Sequence, residues 1–308
     1  MDIIRRRYWY FGLSFLLIVP GLVALALWGL PLSIDFTGGS LLEVSFNSGQ
    51  APQPAQVTGL YQEALGLQDV RVQTTGTDTL IIRSSFLDDA TRARALELMQ
   101  SRFNDTLTVR RFDSVGPSIG QEVAARAALA VGVAALLVVV YIAFAFRGLP
   151  HAFRYGVCAI IAMIHDVAVV LSLAAIGGHF FGWQIDSLFL TATLTVVGFS
   201  VQDKIVVFDR IRENNRIHRR LDFETLVNHS IVQTLQRSIN TQLMTVQFLL
   251  LALALFGGIT LREFAITLVV GLLSGTYSSI FIAAPILVVW EKQEWRAWFR
   301  RGGAEAAA

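Results

Sequence analysis

Long apolar runs, separated by short polar connections, occupy most of this chain. A helix needs about 20 consecutive apolar residues to cross the hydrocarbon core of a bilayer. Six runs approach or exceed that length, at residues 10–30, 124–146, 153–176, 185–208, 239–256 and 264–290. The pattern therefore predicts a polytopic α-helical membrane protein with six transmembrane helices.

The pattern changes between the first and second runs, where polar and apolar residues alternate over short distances. This alternation predicts strands at 41–46, 70–75, 79–85 and 107–115, and helical spacing predicts helices at 54–65 and 88–103. The turn at 76–78 predicts a hairpin between the middle strands. The order strand, helix, strand, strand, helix, strand is that of a ferredoxin-like α+β domain.

Basic residues are concentrated at alternate ends of the apolar runs, starting with Arg5, Arg6 and Arg7 before the first. By the positive-inside rule both termini are expected in the cytoplasm and the small domain outside it. We divide the chain into a first helix (1–33), an extracytoplasmic domain with connectors (34–120), the remaining five helices (121–292) and a cytoplasmic tail (293–308). Residues 304–308 are expected to be disordered.

Composition agrees with a membrane protein and excludes several other classes. Hydrophobic residues make up 54% of the 308 positions and charged residues 16%, and the mean hydropathy is +0.56. A net charge of +2 is too small to predict a nucleic-acid partner. The single cysteine, Cys158, excludes an internal disulfide and a thiolate metal cluster, and we assign it to packing.

Ionisable residues interrupt two of the apolar runs and are the main candidates for function. A charge near the centre of a membrane helix costs roughly 2.5–3.5 kcal/mol, so such residues are functional candidates. Asp203 and Lys204 lie in the fourth run, and His165 and Asp166 lie near the middle of the third. An isolated histidine would be assigned to packing, but the adjacent carboxylate indicates a bundle interior, a water path or a proton relay.

Arg237 comes just before the fifth run and has two interpretations. It is either a positive-inside anchor or a partner that snorkels toward Asp203 from the same side of the membrane. In the last run, Gly271, Gly275 and Ser279 have the small-residue spacing of close helix packing. The chain contains none of the HExxH, GxSxG or Walker motifs, so we predict no enzyme activity, no cofactor and no metal site.

Four segments together resemble the SecF family of the bacterial Sec protein-export apparatus, within the resistance-nodulation-division superfamily. They are DFTGG at 35–39, VGPSIG at 115–120, the His165-Asp166 pair, and VVGFSVQDKIVVFDRIREN at 196–214. The resemblance covers about residues 8 to 290. It implies a multi-pass protein of the bacterial cytoplasmic (inner) membrane that acts with SecD, a separate chain, beside the SecYEG channel. Unfolded secretory proteins would be the client, the proton-motive force the energy source, and SecA and YajC further candidate partners.

The resemblance also assigns roles to single residues. It implies that Asp203 and Arg237 are proton-coupling residues, with His165 and Asp166 as further candidates. Lys204 stands where the family often has a small hydroxyl residue, so we expect it to modulate the protonation of Asp203.

Four glycines in the connectors, Gly38, Gly39, Gly116 and Gly120, are interpreted as hinges or rigid turns. Two other functions stay open: a proton-driven half-transporter that exports lipids or small molecules, and a structural subunit whose membrane charges are dispensable. The sequence also leaves open whether the coupling ion is a proton or sodium.

Overall fold

The computed structural model describes residues 2–147, 151–242, 248–257 and 259–294. Within them, five helices are long and apolar enough to cross a membrane, namely Ile4–Trp28, Pro117–Ala145, Ala152–Phe181, Ser187–Ile217 and Leu261–Glu291. They correspond to five of the six predicted spans. The remaining prediction, 239–256, includes positions 243–247, which lie outside the described residues. So does most of the predicted tail, including its end at 304–308.

The chain divides into two compact units, of which the first comprises Met1–Pro31, Val131–Trp183 and Ser187–Ala308. Its helices follow a single 3₁₀ turn at Ile4–Arg6. They are α1 (Arg7–Trp28), α6 (Ala152–Phe181), α7 (Ser187–Ile217), α8 (Phe223–Ile239), α9 (Phe248–Phe256), α10 (Ile259–Ser278) and α11 (Ala284–Glu291), with a π-helical turn, Ser279–Ala283, between the last two. Helix α5 (Pro117–Ala145) begins in the second unit and ends in the first.

Small residues let the helices of the first unit approach closely. A Cβ atom added to Gly271 of α10 would lie 2.3 Å from the Val196 side chain of α7, and one added to Gly275 would lie 3.4 Å from Ser200. Real Cβ atoms do not tolerate the first distance, so only glycine fits there. The predicted packing role is therefore confirmed for Gly271, and Gly275 also faces α7, at an ordinary contact distance.

Helices α6 and α7 continue beyond the apolar runs that predicted them. The third run was expected to end at residue 176 and the fourth at residue 208, but α6 ends at Phe181 and α7 at Ile217. The added residues of α7 are mostly charged and polar. Hydropathy marks the apolar part of a helix, whereas the backbone hydrogen bonds continue wherever the residues are good helix formers.

Charged side chains link the starts of α1 and α8 to the end of α11. Arg7 forms ion pairs with Glu224 at 2.8 Å and with Glu294 at 2.6 Å, and Lys292 also binds Glu224. The hydrogen bond from Lys292, together with Arg7, lowers the pKa of the Glu224 carboxyl. Because the folded-state pKa is lowered, the stabilisation from this carboxylate is present above its unfolded pKa and is lost as the pH falls.

The second unit comprises Leu32–Ala130 and Gln184–Asp186. One turn of helix, α2 (Ile34–Thr37), leads into the elements β1 (Gly39–Phe46), α3 (Pro54–Leu65), β2 (Arg71–Thr75), β3 (Thr79–Ser84), α4 (Asp89–Phe103) and β4 (Leu107–Val115). This is the predicted order of strands and helices. The strands form one sheet in the order β2-β3-β1-β4 with every neighbouring pair antiparallel.

Alternating residues of the sheet build the core of the second unit. Leu42 and Val44 of β1 and Leu80 and Ile82 of β3 are fully or almost fully buried, and they pack with Tyr61 of α3. Such alternation places every second side chain on one face of the sheet. The core therefore lies between one face of the sheet and the two helices.

The structure contains the predicted helix α4, which begins directly after Asp88, and the predicted hairpin turn between β2 and β3. Asp88 accepts a hydrogen bond from the backbone N–H of Thr91 at 2.9 Å, which caps the helix. Hydrogen bonds from the Thr91 side chain and from its backbone N–H lower the pKa of the Asp88 carboxyl. Gly76 has φ +69° in the turn between the two strands. That angle suits glycine because it has no Cβ atom.

The connecting glycines differ from one another in their surroundings. Gly38 has φ +73°, and a Cβ atom there would lie 2.8 Å from the Pro117 Cα atom. Gly39 has φ +126°, and its Cβ atom would lie 2.7 Å from the Ser84 carbonyl oxygen. A Cβ atom on Gly120 would lie 2.5 Å from the Gly38 nitrogen, whereas one on Gly116 would have free space. Three of the four positions therefore lack space for a side chain, and two of them, Gly38 and Gly39, also have a backbone angle that favours glycine.

We expect Gly38→Ala to destabilise the second unit by roughly 1–3 kcal/mol, because alanine meets both an unfavourable φ and a backbone contact. The matched control is Gly116→Ala, where the added methyl group has space. Hydrogen exchange of β1 in the full-length protein measures the difference. Equal exchange in the two variants would contradict the assignment of a rigid turn at Gly38.

Candidate functional site

Asp166 of α6 is fully buried and forms an ion pair with Lys204 of α7, which is also fully buried. The Lys204 Nζ atom lies 2.8 Å from Asp166 Oδ2. The same oxygen accepts hydrogen bonds from the hydroxyls of Ser200 at 2.6 Å and Ser278 at 2.7 Å. Lys204 Nζ also binds the Ser200 hydroxyl. Both charges are thus compensated inside the bundle.

The other carboxylate oxygen of Asp166, Oδ1, has two partners. Ser274 donates to it at 2.7 Å, and His165 Nδ1 lies 3.1 Å from it. The His165 side chain is 10% exposed, and its Nε2 atom is buried with no hydrogen-bond partner among the described residues. His165 and Asp166, which are adjacent in sequence, are thus also in contact, and one ring nitrogen remains available to a water molecule or a proton.

The donors come from residues spaced four apart on two helices. Ser200 and Lys204 occupy neighbouring turns on one face of α7, and Ser274 and Ser278 do so on α10. Residues at this spacing lie above one another on a helix surface. The two faces therefore enclose the carboxylate of α6 between them.

Lys204 interacts with a different acid from the one expected. It was predicted to modulate Asp203, its neighbour in sequence, but its ammonium group contacts Asp166. Consecutive residues on an α-helix point about 100° apart, so Asp203 and Lys204 face different neighbours. The modulating charge acts on Asp166 in this structure.

Asp203 of α7 forms a second, simpler carboxylate site. Its Oδ1 atom accepts a hydrogen bond from Ser238 of α8 at 2.7 Å, and its Oδ2 atom accepts one from Ser279 of the π-helical turn at 2.5 Å. The residue is half-buried. Within the described part of the chain, no basic side chain lies within 4 Å of this carboxylate. The two acids therefore differ among the residues described: Asp166 is paired with a cation, whereas Asp203 accepts hydrogen bonds from two hydroxyl groups.

Arg237 immediately precedes Ser238 but is exposed and forms no ion pair with Asp203. It lines a groove of about 320 Å³ between α7 and α8. The acids of that groove pair with arginines of their own helix, Glu213 with Arg210 and Asp209 with Arg212. In this conformation a serine contacts Asp203 where the arginine was expected.

Five serines donate to the two carboxylates, and none of them was predicted to do so from the sequence. They are Ser200, Ser238, Ser274, Ser278 and Ser279. The i, i+4 spacing of small polar residues in apolar helices was the available signal. Ser279 was assigned to helix packing, but its hydroxyl binds Asp203.

The fold and the site define a class of protein: a multi-pass membrane protein that holds two carboxylates inside its helices. The family model "Protein export membrane protein SecD/SecF, C-terminal" matches residues 95–293, and the "SecD/SecF GG Motif" matches residues 25–49. Because these models match most of the chain and full-length relatives are named protein translocase subunit SecF, the chain belongs to the SecF family of protein translocase subunits.

Three relatives named protein translocase subunit SecF illustrate the range of similarity. The one from Anaerolinea thermophila is 67% identical over the full length of both chains. The one from Thermobaculum terrenum is 45% identical over 100% of this chain and 99% of its own. The one from Escherichia coli O157:H7 is 32% identical over 92% of this chain and 86% of its own.

Solved structures of SecDF are similar to this fold. A crystal structure of SecDF, a translocon-associated membrane protein from Thermus thermophilus, matches 95% of this chain with a TM-score of 0.81 and 32% identity. SecDF in a super-membrane-facing form matches 100% of it with a TM-score of 0.62 and 28% identity. The chain spans 39% and 40% of the lengths of those two chains.

We expect Lys204→Met to destabilise the helix bundle by about 3–5 kcal/mol, because it leaves the Asp166 carboxylate buried without a cation. The double variant Lys204→Met with Asp166→Asn removes both charges and should recover part of that loss. Unfolding of the purified protein in detergent measures both. A double variant that is less stable by the sum of the two single effects would show that the ion pair has no coupling energy.

Proposed function

We propose that this chain acts with a separate SecD chain to assist the export of secreted proteins through the SecYEG channel, driven by the proton-motive force. The observation that carries the proposal is Asp203, a half-buried carboxylate whose hydrogen-bond donors among the described residues are hydroxyl groups. Adding a proton to this group changes the charge inside the bundle, which is the requirement for coupling to a proton gradient. The similarity to longer SecDF chains supports a SecD partner.

The two carboxylates have different roles in this proposal. Asp203 gains and loses the coupling proton, because hydroxyl groups can donate to a carboxylate and also accept from a carboxylic acid. Asp166 stays ionised beside Lys204 and holds α6, α7 and α10 together. His165, whose Nε2 atom is unpartnered among the described residues, belongs to the proton path next to Asp166.

Arg237 enters the cycle in a second arrangement of the helices. Its neighbour in sequence, Ser238, already contacts Asp203, so in that arrangement the long Arg237 side chain reaches over the same turn of α8 and replaces the serine at the carboxylate. An arginine beside an ionised acid stabilises the charge, whereas a serine also suits the neutral acid. The exchange therefore favours different helix arrangements for the two protonation states.

The proposal includes the finer features of the fold and its placement. The chain has six transmembrane helices in the bacterial cytoplasmic membrane with both termini in the cytoplasm. Residues 34–120 form a ferredoxin-like domain outside it, a proposal supported by the antiparallel strand order β2-β3-β1-β4. This domain contacts the unfolded client, the glycine connectors join it to the helices, and SecA and YajC are further partners.

Asp203→Asn should abolish the gradient-dependent stimulation of export while leaving insertion and assembly normal, because asparagine is nearly isosteric but cannot exchange a proton. The measurement is export into membrane vesicles with and without an uncoupler. The matched control is Asp209→Asn, an exposed carboxylate on the same helix that pairs with Arg212.

Stimulation of the wild-type size in the Asp203→Asn variant would refute the proton role and favour the structural-subunit alternative. Persistence of the stimulation under an uncoupler, together with its loss when the sodium gradient is collapsed, would instead assign the coupling to sodium.

Arg237→Lys should reduce gradient-dependent stimulation several-fold, because an ammonium group lacks the planar fork that binds a carboxylate through two hydrogen bonds. The same vesicle assay measures the effect, and Arg210→Lys serves as the control for a change in the same groove. Equal activity of lysine and arginine at position 237 would return this residue to the role of a positive-inside anchor.

A further inference from the structure

Two consecutive serines bind the two different carboxylates of the bundle. Ser278 donates to Asp166 Oδ2 at 2.7 Å, and Ser279 donates to Asp203 Oδ2 at 2.5 Å. Both serines are fully buried. Because neighbouring residues on a helix point in different directions, one short segment contacts acids from two other helices, α6 and α7.

These serines lie at the point where the helix changes its hydrogen-bond pattern. Helix α10 ends at Ser278, and the π-helical turn runs from Ser279 to Ala283. Such turns are rare, less regular than α-helix, and frequent at functional sites. The segment that contacts Asp203 therefore departs from regular α-helical pairing at the residue that makes the contact.

Each serine hydroxyl has one hydrogen but two acceptors within reach. For Ser279 the acceptors are Asp203 Oδ2 at 2.5 Å and the Thr276 carbonyl oxygen at 2.9 Å. For Ser278 they are Asp166 Oδ2 at 2.7 Å and the Gly275 carbonyl oxygen at 3.1 Å. A hydroxyl donates one hydrogen at a time, so the charge of each carboxylate decides which acceptor receives it.

We propose that Ser279 is a positioning residue that transmits the protonation of Asp203 to the backbone of the π-helical turn. When Asp203 is ionised, the Ser279 hydrogen points to Oδ2. When a proton arrives on Oδ2, the new O–H donates to Ser279 Oγ, and the Ser279 hydrogen turns to the Thr276 carbonyl. The proton adds to one oxygen, and no covalent bond to carbon breaks.

This change affects the backbone because the Thr276 carbonyl is also an acceptor for the backbone N–H groups of the helix. A serine hydroxyl that bonds to a carbonyl in the preceding turn competes with the backbone N–H groups and bends helices. Protonation of Asp203 thus weakens backbone pairing within 279–283. The inference rests on the proposed function in one respect, namely that Asp203 gains and loses a proton.

The neighbouring charges leave Asp203 as the group that changes. On α7 the adjacent Lys204 is directed to Asp166, and on α8 the adjacent Arg237 is exposed. From α6, Asp166 is compensated by Lys204 and contacts His165. Ser278 consequently continues to donate to the Asp166 carboxylate, which stays ionised, and this hydrogen bond fixes the end of α10. The π-helical turn after it responds to the protonation of Asp203.

The experiment measures hydrogen exchange of residues 279–283 at one fixed pH in the full-length protein in lipid nanodiscs. Asp203→Asn imitates the neutral acid and should speed exchange in this segment roughly two- to tenfold, the equivalent of one backbone hydrogen bond. In a Ser279→Ala background, Asp203→Asn should cause no such change. In a Ser279→Thr background, which keeps the hydroxyl, the change should return.

The matched control is Thr267→Val on the same helix, whose hydroxyl donates only to the backbone carbonyl of Glu263 among the contacts described. The response to Asp203→Asn should persist in it. If Ser279→Ala does not fold, Ser279→Cys replaces it, because a thiol is a weak donor and should reduce the response.

Two results would overturn the inference: no response to Asp203→Asn with Ser279 intact, or an equal response with and without the hydroxyl at position 279. Neither result depends on export. Failure of the proposed function would instead appear in the vesicle assay, where gradient-dependent stimulation would survive Asp203→Asn.

Discussion

The ion pair between Asp166 and Lys204 is the interaction on which the helix bundle depends. Moving two charges out of water costs several kcal/mol for each ion, and their attraction offsets that cost only when further hydrogen bonds satisfy the remaining lone pairs. Here hydroxyl groups from α7 and α10 supply those hydrogen bonds. The pair therefore fixes the positions and rotations of three helices relative to one another.

The Asp166–Lys204 ion pair also fixes the position of the second acid, Asp203, because Asp203 and Lys204 are neighbours on α7. Asp203 lies one residue from Lys204, and its hydroxyl partners come from α8 and from the π-helical turn. Neither partner carries a charge, so the electrostatic state of this site depends on Asp203 itself. The bundle thus combines one carboxylate that is paired with a cation and, among the described residues, another that is bound by hydroxyl groups.

Both carboxylates contact one short segment of the chain. Ser278, the last residue of α10, binds Asp166, and Ser279, the first residue of the π-helical turn, binds Asp203. A regular helix would continue with the same backbone pairing on both sides of Ser278. The change to π-helical pairing falls between the serine that contacts Asp166 and the serine that contacts Asp203. Such turns are frequent at functional sites, which agrees with the proposed response of this turn to the charge of Asp203.

The apolar runs, the alternation of the small domain and the capping residues allowed much of the fold to be predicted from sequence. These signals are local: hydrophobic length indicates a span, period 2 indicates a strand, and an aspartate before a helix indicates a cap. Asp166, Asp203 and His165 were also found as candidates, because any ionisable residue in an apolar run stands out. Arg237 was found as well, but its contact with Asp203 is absent from this conformation.

Only the tertiary structure decided which groups meet. Lys204 was expected to act on its neighbour Asp203, yet it binds Asp166, 38 positions away. Ser274 donates to Asp166 and Ser279 donates to Asp203, and each serine is far in sequence from the acid that it binds. Sequence spacing specifies which residues share a face of one helix, but the rotation of each helix about its axis depends on packing against the others. Hydrogen-bond partners in a bundle are set by those rotations, which no local pattern contains.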